Sequence, residues 1–305
     1  MARLTILSYF RAIIDYMKNS PMAHFIKLLR LRQWHKNLLL FMPIISSGNP
    51  LSKEIMTNLA FPFLAFCLVS STVYVMNDIK DIDIDSKNAF NNTRPLASGA
   101  IDKSSAMKIL LVLATLDMII FTSLKLNVLL CLLIYLGINI LYSFKLKNIP
   151  VVEIFCVASG FLLRSIAGGF SSEITLTSWF LLVLSSGAIF LIAGKRFSEK
   201  INHKGNVLRD VNAFYPINFL YALLAISAAV CINSFASWSL SFNNNVELVR
   251  FSSITFSFCI LRYLWCLDLV KGAFGIKPES SLFKDPWLVS FAVVTILLAI
   301  GKPTW

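Results

Sequence analysis

Apolar residues fall along this chain in nine blocks, at roughly 36–48, 56–77, 104–124, 126–144, 150–169, 177–194, 214–237, 250–270 and 287–301. A helix needs about 20 residues to cross the ~30 Å hydrocarbon core of a bilayer, and all but the first and last blocks approach or exceed that length. The pattern predicts an all-α integral membrane protein of about nine transmembrane helices. The polar stretches between the blocks alternate in basic content. One side collects Arg3, Arg11, Lys18, Lys27, Arg30, Arg32 and Lys36 of the N-terminal arm, then Lys80, Lys87, Arg94, Lys103 and Lys108, then Lys145 and Lys147. It continues with Lys195, Arg196, Lys200, Lys204 and Arg209, and ends with Lys271, Lys277 and Lys284, so that it holds 22 of the 28 Lys and Arg. The other side holds Lys53, Lys125, Arg250 and Lys302, while Arg164 and Arg262 fall inside blocks. The positive-inside rule puts the basic side in the cytoplasm, with the N-terminus inside and, for an odd number of spans, the C-terminus outside.

Composition changes this picture little. The chain has 305 residues, 57% of them hydrophobic and 14% charged, where soluble domains carry roughly 25% charged residues. Mean hydropathy is +0.72. The first twenty residues set Arg3, Arg11, Asp15 and Lys18 among apolar positions with no uninterrupted apolar core. That pattern reads as an amphipathic helix lying on the membrane rather than a signal peptide, and residues 1–29 form a basic N-terminal arm. The six cysteines lie within apolar segments without C-x-x-C spacing, which makes them buried thiols. Three scattered histidines make no zinc site. No nucleotide-binding glycine motif is present, and no nucleic-acid partner is expected.

Chemistry concentrates on the basic side. The stretch Asn77 to Asp85 follows directly on an apolar run and carries Asp78, Asp81 and Asp85 at i, i+3 and i+7, one face of a continuing helix. Clustered carboxylates repel one another and are poorly solvated at a membrane border, and a divalent cation removes both problems. Mg²⁺ typically takes one or two protein carboxylates and completes its shell with water and phosphate oxygens. The alternative is a solvated acidic helix end. Next comes Asn92 to Gly99, in which Pro95 and Gly99 fix the backbone and Arg94 offers a phosphate fork. Tyr142 with Lys145 and Lys147, then Glu153, and later Lys195 and Arg196 with Glu199 repeat the combination of helix end, cation and carboxylate. The basic residues serve either to hold loops inside or to bind a metal–diphosphate, whose remaining charge Lys or Arg would take. Arg164 lies well inside the fifth block, where a charge costs at least about 2–3 kcal/mol and is usually retained for a ligand or partner. Trp34, Trp265 and Trp287 read as interfacial belt residues.

Nine apolar segments, the motif Asn77, Asp78, Asp81 and Asp85, and the run Arg94 to Gly99 resemble the UbiA superfamily of intramembrane prenyltransferases. Within it the chain is most similar to the decaprenyl-phosphate phosphoribosyltransferase branch. That similarity rests on Arg32, Gln33, Trp34, Lys36 and Asn37; on Tyr142, Ser143 and Lys147; on Ala158 to Phe161 with Arg164; on Gly194, Lys195, Arg196 and Glu199; and on Pro278, Glu279, Lys284 and Asp285. The resemblance covers residues 30–305 as one UbiA-like catalytic domain with its active site at the cytoplasmic face of the cell membrane. It implies transfer of 5-phosphoribose from phosphoribosyl diphosphate to a polyprenyl phosphate, with release of diphosphate, for lipid-linked sugar donor and cell-envelope glycan synthesis. It implies Mg²⁺ on Asp78, Asp81 and Asp85, with Asp78, Asp81 and Asn77 at the catalytic centre. Lys36, Arg94, Tyr142, Lys147, Arg164, Lys195 and Arg196 would bind phosphate and ribose, with Glu153 and Glu199 as further acids.

One departure bears on chemistry. The family's second acidic motif is usually built on aspartate, and here Glu153 stands near that place with Val157 one turn on. Aromatic prenyltransferases of the family hold two Mg²⁺ on two such motifs, so the weakened second motif argues against the alternative of moving a prenyl group to an aromatic acceptor. A transporter is the other rival, and it would want charge and broken helices near the midplane rather than acids at one surface.

Overall fold

The structure, a computed structural model, describes residues 20–47, 52–87, 91–201, 210–242, 246–268 and 285–300. Every regular element among them is helical. The first helix, α1 (Pro21–Leu28), starts on Ser20, whose side chain accepts the Ala23 N–H, with Pro21 at its first position. A 3₁₀ run (Leu31–Phe41) continues into α2 (Met42–Ser47). After these come α3 (Lys53–Lys80), α4 (Ile82–Lys87), α5 (Lys103–Phe121) and α6 (Leu126–Phe144). A short 3₁₀ turn (Leu146–Asn148) leads to α7 (Val152–Ser172), α8 (Ser178–Ile201), α9 (Asp210–Phe214), α10 (Ile217–Phe242), α11 (Val246–Asp268) and α12 (Pro286–Ile300).

Each of the nine apolar blocks falls on helix, and six of them, α3, α5, α6, α7, α8 and α10, are long and apolar enough to cross a membrane. The remaining three are less regular. The first block is the 3₁₀ run and α2, where hydropathy alone suggests one continuous α-helix. The helix α11 carries Glu247, Arg250, Arg262 and Asp268 within its 23 residues, and α12 has 15. Residues 1–19, which make up most of the expected amphipathic arm, lie outside the described residues, as do Lys204, Arg209, Lys271, Lys277, Pro278, Glu279 and Lys284. At the arm's end Leu28 is buried in a core while Met22, Phe25 and Ile26 are exposed.

The chain divides into two compact units, Met1–Leu38 with Phe63–Leu124 and Leu39–Pro62 with Lys125–Trp305. The core of the first unit is built from Leu28, Val75, Leu96, Ala106 and Leu113. Within it the segment before α2 is tied to α3. Ser71 Oγ accepts the Trp34 Nε1–H at 3.1 Å and donates to the Leu29 carbonyl at 2.9 Å, and Asn37 is buried against Cys67. Trp34 is thus docked on α3 through its indole N–H. The helix α5 opens on Asp102, whose carboxylate accepts the Ser105 N–H at 2.9 Å and is held below its ordinary pKa by hydrogen bonds from the Ser105 side chain and backbone. Its flank exposes Leu111, Val112, Met118 and Ile119. In a membrane chain such a surface faces acyl chains.

The second unit has a core of Ile154, Ala158, Phe190, Phe197, Tyr215, Leu220 and Tyr263 from α7, α8, α10 and α11 and the Tyr215 turn. Phe180, Phe235 and Trp238 form a smaller cluster beside it. The approach of α7 to the segment entering α2 requires glycine, since a Cβ on Gly168 would lie 2.0 Å from the Leu40 carbonyl oxygen. Ser165 Oγ donates to the Leu39 carbonyl at 3.1 Å from the same face. The helix α7 runs unbroken through Arg164, unlike the interrupted helices that a transporter would want.

Candidate functional site

In the first unit the chain turns at Asp81, where α3 ends and α4 begins, yet the backbone keeps helical hydrogen bonds across the join. Asp81 N–H donates to the Asn77 carbonyl at 3.0 Å and Asp85 N–H to the Asp81 carbonyl at 2.8 Å. This continuity brings Asp78 and Asp85 to one place, as the i, i+7 spacing requires. Both carboxylates are buried, at 2% and 6% side-chain exposure. Arg94 Nη1 lies 2.5 Å from Asp85 Oδ2 and 3.3 Å from Asp78 Oδ1. Asn91 donates to the other oxygen of Asp85 at 2.8 Å, and Arg30 pairs with Asp78 Oδ1.

Loop chemistry sets both arginines. Ser98 N–H returns to the Arg94 carbonyl at 2.9 Å, Ile101 N–H returns to Pro95, and Gly99 takes φ +74°, a conformation that favours glycine. Leu96 anchors this turn in the core. Arg30 itself sits at φ +51°, and its guanidinium lies 4.8 Å from the centre of the Tyr74 ring. Asn77 and Asp81 are half-buried beside the pair, and Lys36 is half-buried on the 3₁₀ run with its Nζ on Gln33. Asp83, between Asp81 and Asp85 in sequence, is exposed.

The second unit holds a different constellation. Glu153 at the start of α7 is fully buried and takes both Arg196 Nε and Nη2 at 2.7 Å, a two-point grip from α8. Arg196 Nη1 also meets Glu199 at 2.8 Å, and Glu199 accepts from Asn212 Nδ2 at 2.7 Å. Tyr215 closes the network. Its hydroxyl accepts the N–H of Val151, itself at φ +67°, at 2.6 Å and donates to Glu153 at 3.5 Å. Burial pushes the Tyr215 phenol above its ordinary pKa, so it remains a neutral donor. Arg164 is buried in α7, donating to the Gly160 carbonyl at 2.6 Å and to the Tyr135 hydroxyl at 2.9 Å. Lys147, Tyr142 and Lys195 are half-buried near the ends of α6, α7 and α8.

Sequence reasoning places Asp78, Asp85 and Arg94 together, and Arg196 with Glu199, as the structure does. It misses Arg30, which looks like one more basic residue of the arm, because a left-handed backbone at a non-glycine residue leaves no sequence signal. It also misses Asn212 and Tyr215, which reach the network only through the fold. Among the described residues no three of His, Cys, Asp and Glu converge as metal ligands, so the expected Asp78, Asp81 and Asp85 triad is not assembled as a trio.

A family model described as the UbiA prenyltransferase family matches residues 40–204. The chain belongs to this family. Among its relatives, the decaprenyl-phosphate phosphoribosyltransferase of Mycolicibacterium smegmatis is 31% identical over 276 residues, covering 85% of this chain and 86% of that protein. The enzyme of the same name from Mycobacterium tuberculosis is 31% identical over 281 residues, covering 90% and 92%. The solved structure of a UbiA homolog from Archaeoglobus fulgidus bound to GPP and Mg²⁺ has the same fold, with a TM-score of 0.65 at 17% identity over 90% of this chain and 96% of that one. Membership of the UbiA family, together with six helices among the described residues that are long and apolar enough to cross a membrane, makes this a multi-pass membrane protein.

The donor set of the first unit fits a divalent cation. Asp78 and Asp85 already share a single cationic nitrogen, Arg94 Nη1, within 3.3 Å of an oxygen from each. Two carboxylates around one positive charge is the protein contribution that Mg²⁺ asks for. Glu153 fits less well, since the Arg196 that grips both of its oxygens is itself buried at 3% side-chain exposure, whereas the arginines on Asp78 and Asp85 keep 20% and 25%.

Proposed function

We propose that this membrane enzyme transfers 5-phosphoribose from phosphoribosyl diphosphate to a polyprenyl phosphate and releases diphosphate. The observation that carries the choice is the buried Glu153–Arg196 pair. It occupies the second acidic position internally, and among the described residues Asp78 with Asp85, whose arginine partners remain partly exposed, is the carboxylate pair offered to a cation. Aromatic prenyl transfer in this family uses two metal-holding motifs. The names of the relatives at 31% identity support the same choice.

In the proposed reaction a phosphate oxygen of the lipid bonds to C1 of the ribose as the C1–O bond to diphosphate breaks, the electron pair leaving with diphosphate. Mg²⁺ bound at Asp78 and Asp85 would neutralise charge on the leaving group. Asp81 and Asn77 border that site. The two-point fork of Arg94 suits a phosphate, and Lys36, on the same unit, adds a mobile positive charge. Lys147, Lys195 and Tyr142, half-buried in the second unit, are further candidates for contact with phosphate or ribose, and Arg196 serves to position Glu153 and Glu199. No general base is required, because a phosphate monoester is largely ionised at neutral pH. We place the site at the cytoplasmic face of the cell membrane, on the side where the basic loops lie, with nine spans and residues 30–305 as the catalytic body.

Purified protein in detergent with Mg²⁺ tests the reading. Label from phosphoribosyl diphosphate should enter the organic phase when a polyprenyl phosphate is present, and EDTA should stop it. Label moving only from prenyl diphosphate to an aromatic acid would replace this function with the alternative.

A further inference from the structure

Asp78 and Asp85 are almost dry, whereas the arginines that hold them keep 20% and 25% of their side-chain surface in contact with the surroundings. The two positive guanidiniums therefore cover the two negative carboxylates, and the quartet is neutral. We infer that this site admits its divalent cation only as a chelate with a diphosphate group, Arg30 and Arg94 standing in the cation's place until an anion arrives to take them. The inference rests on the proposed function only in taking Asp78 and Asp85 as the cation's ligands.

The argument is one of charge. A free divalent cation entering beside Asp78 would meet Arg94 Nη1, which lies 2.5 Å from Asp85 and 3.3 Å from Asp78, and Arg30 on the same Asp78 oxygen. Like charges at such separations in a partly dry setting oppose entry strongly. A cation that arrives with diphosphate brings its own anion. The guanidiniums can then exchange carboxylate oxygens for phosphate oxygens, which they grip at two points, and the carboxylates turn to the metal.

Both arginines are fastened so that they stay close after letting go. Arg30 is held by its left-handed backbone, by the Tyr74 ring and by the Gln33 N–H, which donates to its carbonyl at 2.7 Å. Arg94 is held by the turn that ends at Gly99. Arg30 thereby becomes a further phosphate-binding residue of the reaction, coupled to the metal through Asp78.

Equilibrium dialysis of Mn²⁺ against the full-length protein in detergent, with and without inorganic diphosphate, reads this coupling without turnover. Diphosphate should tighten Mn²⁺ binding by at least ~10-fold, and by reciprocity Mn²⁺ should tighten diphosphate binding by the same factor, measured calorimetrically. Arg30→Gln should bind free Mn²⁺ about 10-fold more tightly than the native protein while losing most of the diphosphate enhancement, a pairing of opposite effects that simple misfolding cannot produce. Arg30→Lys, which keeps the charge, should retain weak binding of free Mn²⁺. Equal Mn²⁺ affinity with and without diphosphate, or unchanged free-Mn²⁺ affinity in Arg30→Gln, would overturn the inference and leave the proposed reaction standing. Mn²⁺ bound under neither condition would overturn the metal assignment beneath both.

Discussion

The Glu153–Arg196 pair shows how a residue that looks like a substrate ligand in the sequence acquires another role in the fold. Lys195 and Arg196 are adjacent cations near a helix end, and nothing in their spacing distinguishes them. The structure does, turning Arg196 inward onto Glu153 and Glu199 while Lys195 stays half-buried. Such a pair is costly to break from one side, since the surviving charge is left buried, and the expected cost is about 3–5 kcal/mol. Glu153→Gln should therefore lower the melting temperature in detergent by several degrees. Adding Arg196→Met should recover part of that loss, because the stranded charge is removed. Simple addition of the two single effects would show that the pair is not coupled. The sequence makes Asp78, Asp85 and Arg94 legible because spacing along one helix and a proline–glycine turn are local properties. Arg30, Asn212 and Tyr215 are not legible, because their partners are set by packing at long sequence separation.

At the scale of elements, hydropathy locates every apolar helix, and what it misses is local geometry. The 3₁₀ character of Leu31–Phe41 and the break at Asp81 depend on hydrogen-bond partners rather than on apolar length. Helix ends are set by specific contacts, and α12 is a case with a measurable consequence. Asp285 caps it by accepting the Leu288 N–H at 2.9 Å, and it receives Arg262 of α11 at 2.8 and 3.2 Å. The Arg262 hydrogen bond holds the Asp285 carboxyl below its ordinary pKa, against the opposing effect of burial. A carboxylate with a depressed folded pKa contributes stability that is complete above the unfolded value and is lost as pH falls through the lower folded one. Asp285→Asn should therefore melt below the native protein at pH 7. The gap should close as the pH is lowered from the ordinary carboxylate value through the depressed one. A gap independent of pH would mean that the cap alone, without the ion pair, holds α12 to α11.

For the whole molecule the number of crossings turns on three less regular segments, the first one, α11 and α12, and the first also sets the side on which the N-terminus lies. The 3₁₀ run Leu31–Phe41 has 11 residues and α2 has 6, too few for a spanning α-helix. A 3₁₀-helix rises about 2.0 Å per residue against 1.5 Å for an α-helix, so the run reaches about 22 Å and α2 adds about 9 Å. Together they can reach about 31 Å, of which the first turns, carrying Arg32 and Lys36, would lie in the headgroup region. A crossing here puts the N-terminus on the same side as the turn from Arg94 to Gly99, since α3 then returns the chain. The basic residues of both regions ask for that arrangement, with Arg30, Arg32 and Lys36 at the entrance of the segment and Lys80, Lys87 and Arg94 at and beyond the end of α3. Alkaline phosphatase, active only outside the cytoplasm, should be silent when fused at the N-terminus or after Lys103. It should be active when inserted after Ser123, between α5 and α6, where Lys125 stands as the nearest cation. An active N-terminal fusion with a silent one after Lys103 would mean that the 31–47 segment does not cross. The acidic site would keep its cytoplasmic face in that case, but the molecule would have one span fewer and its N-terminal arm would lie on the opposite side of the membrane from the chemistry.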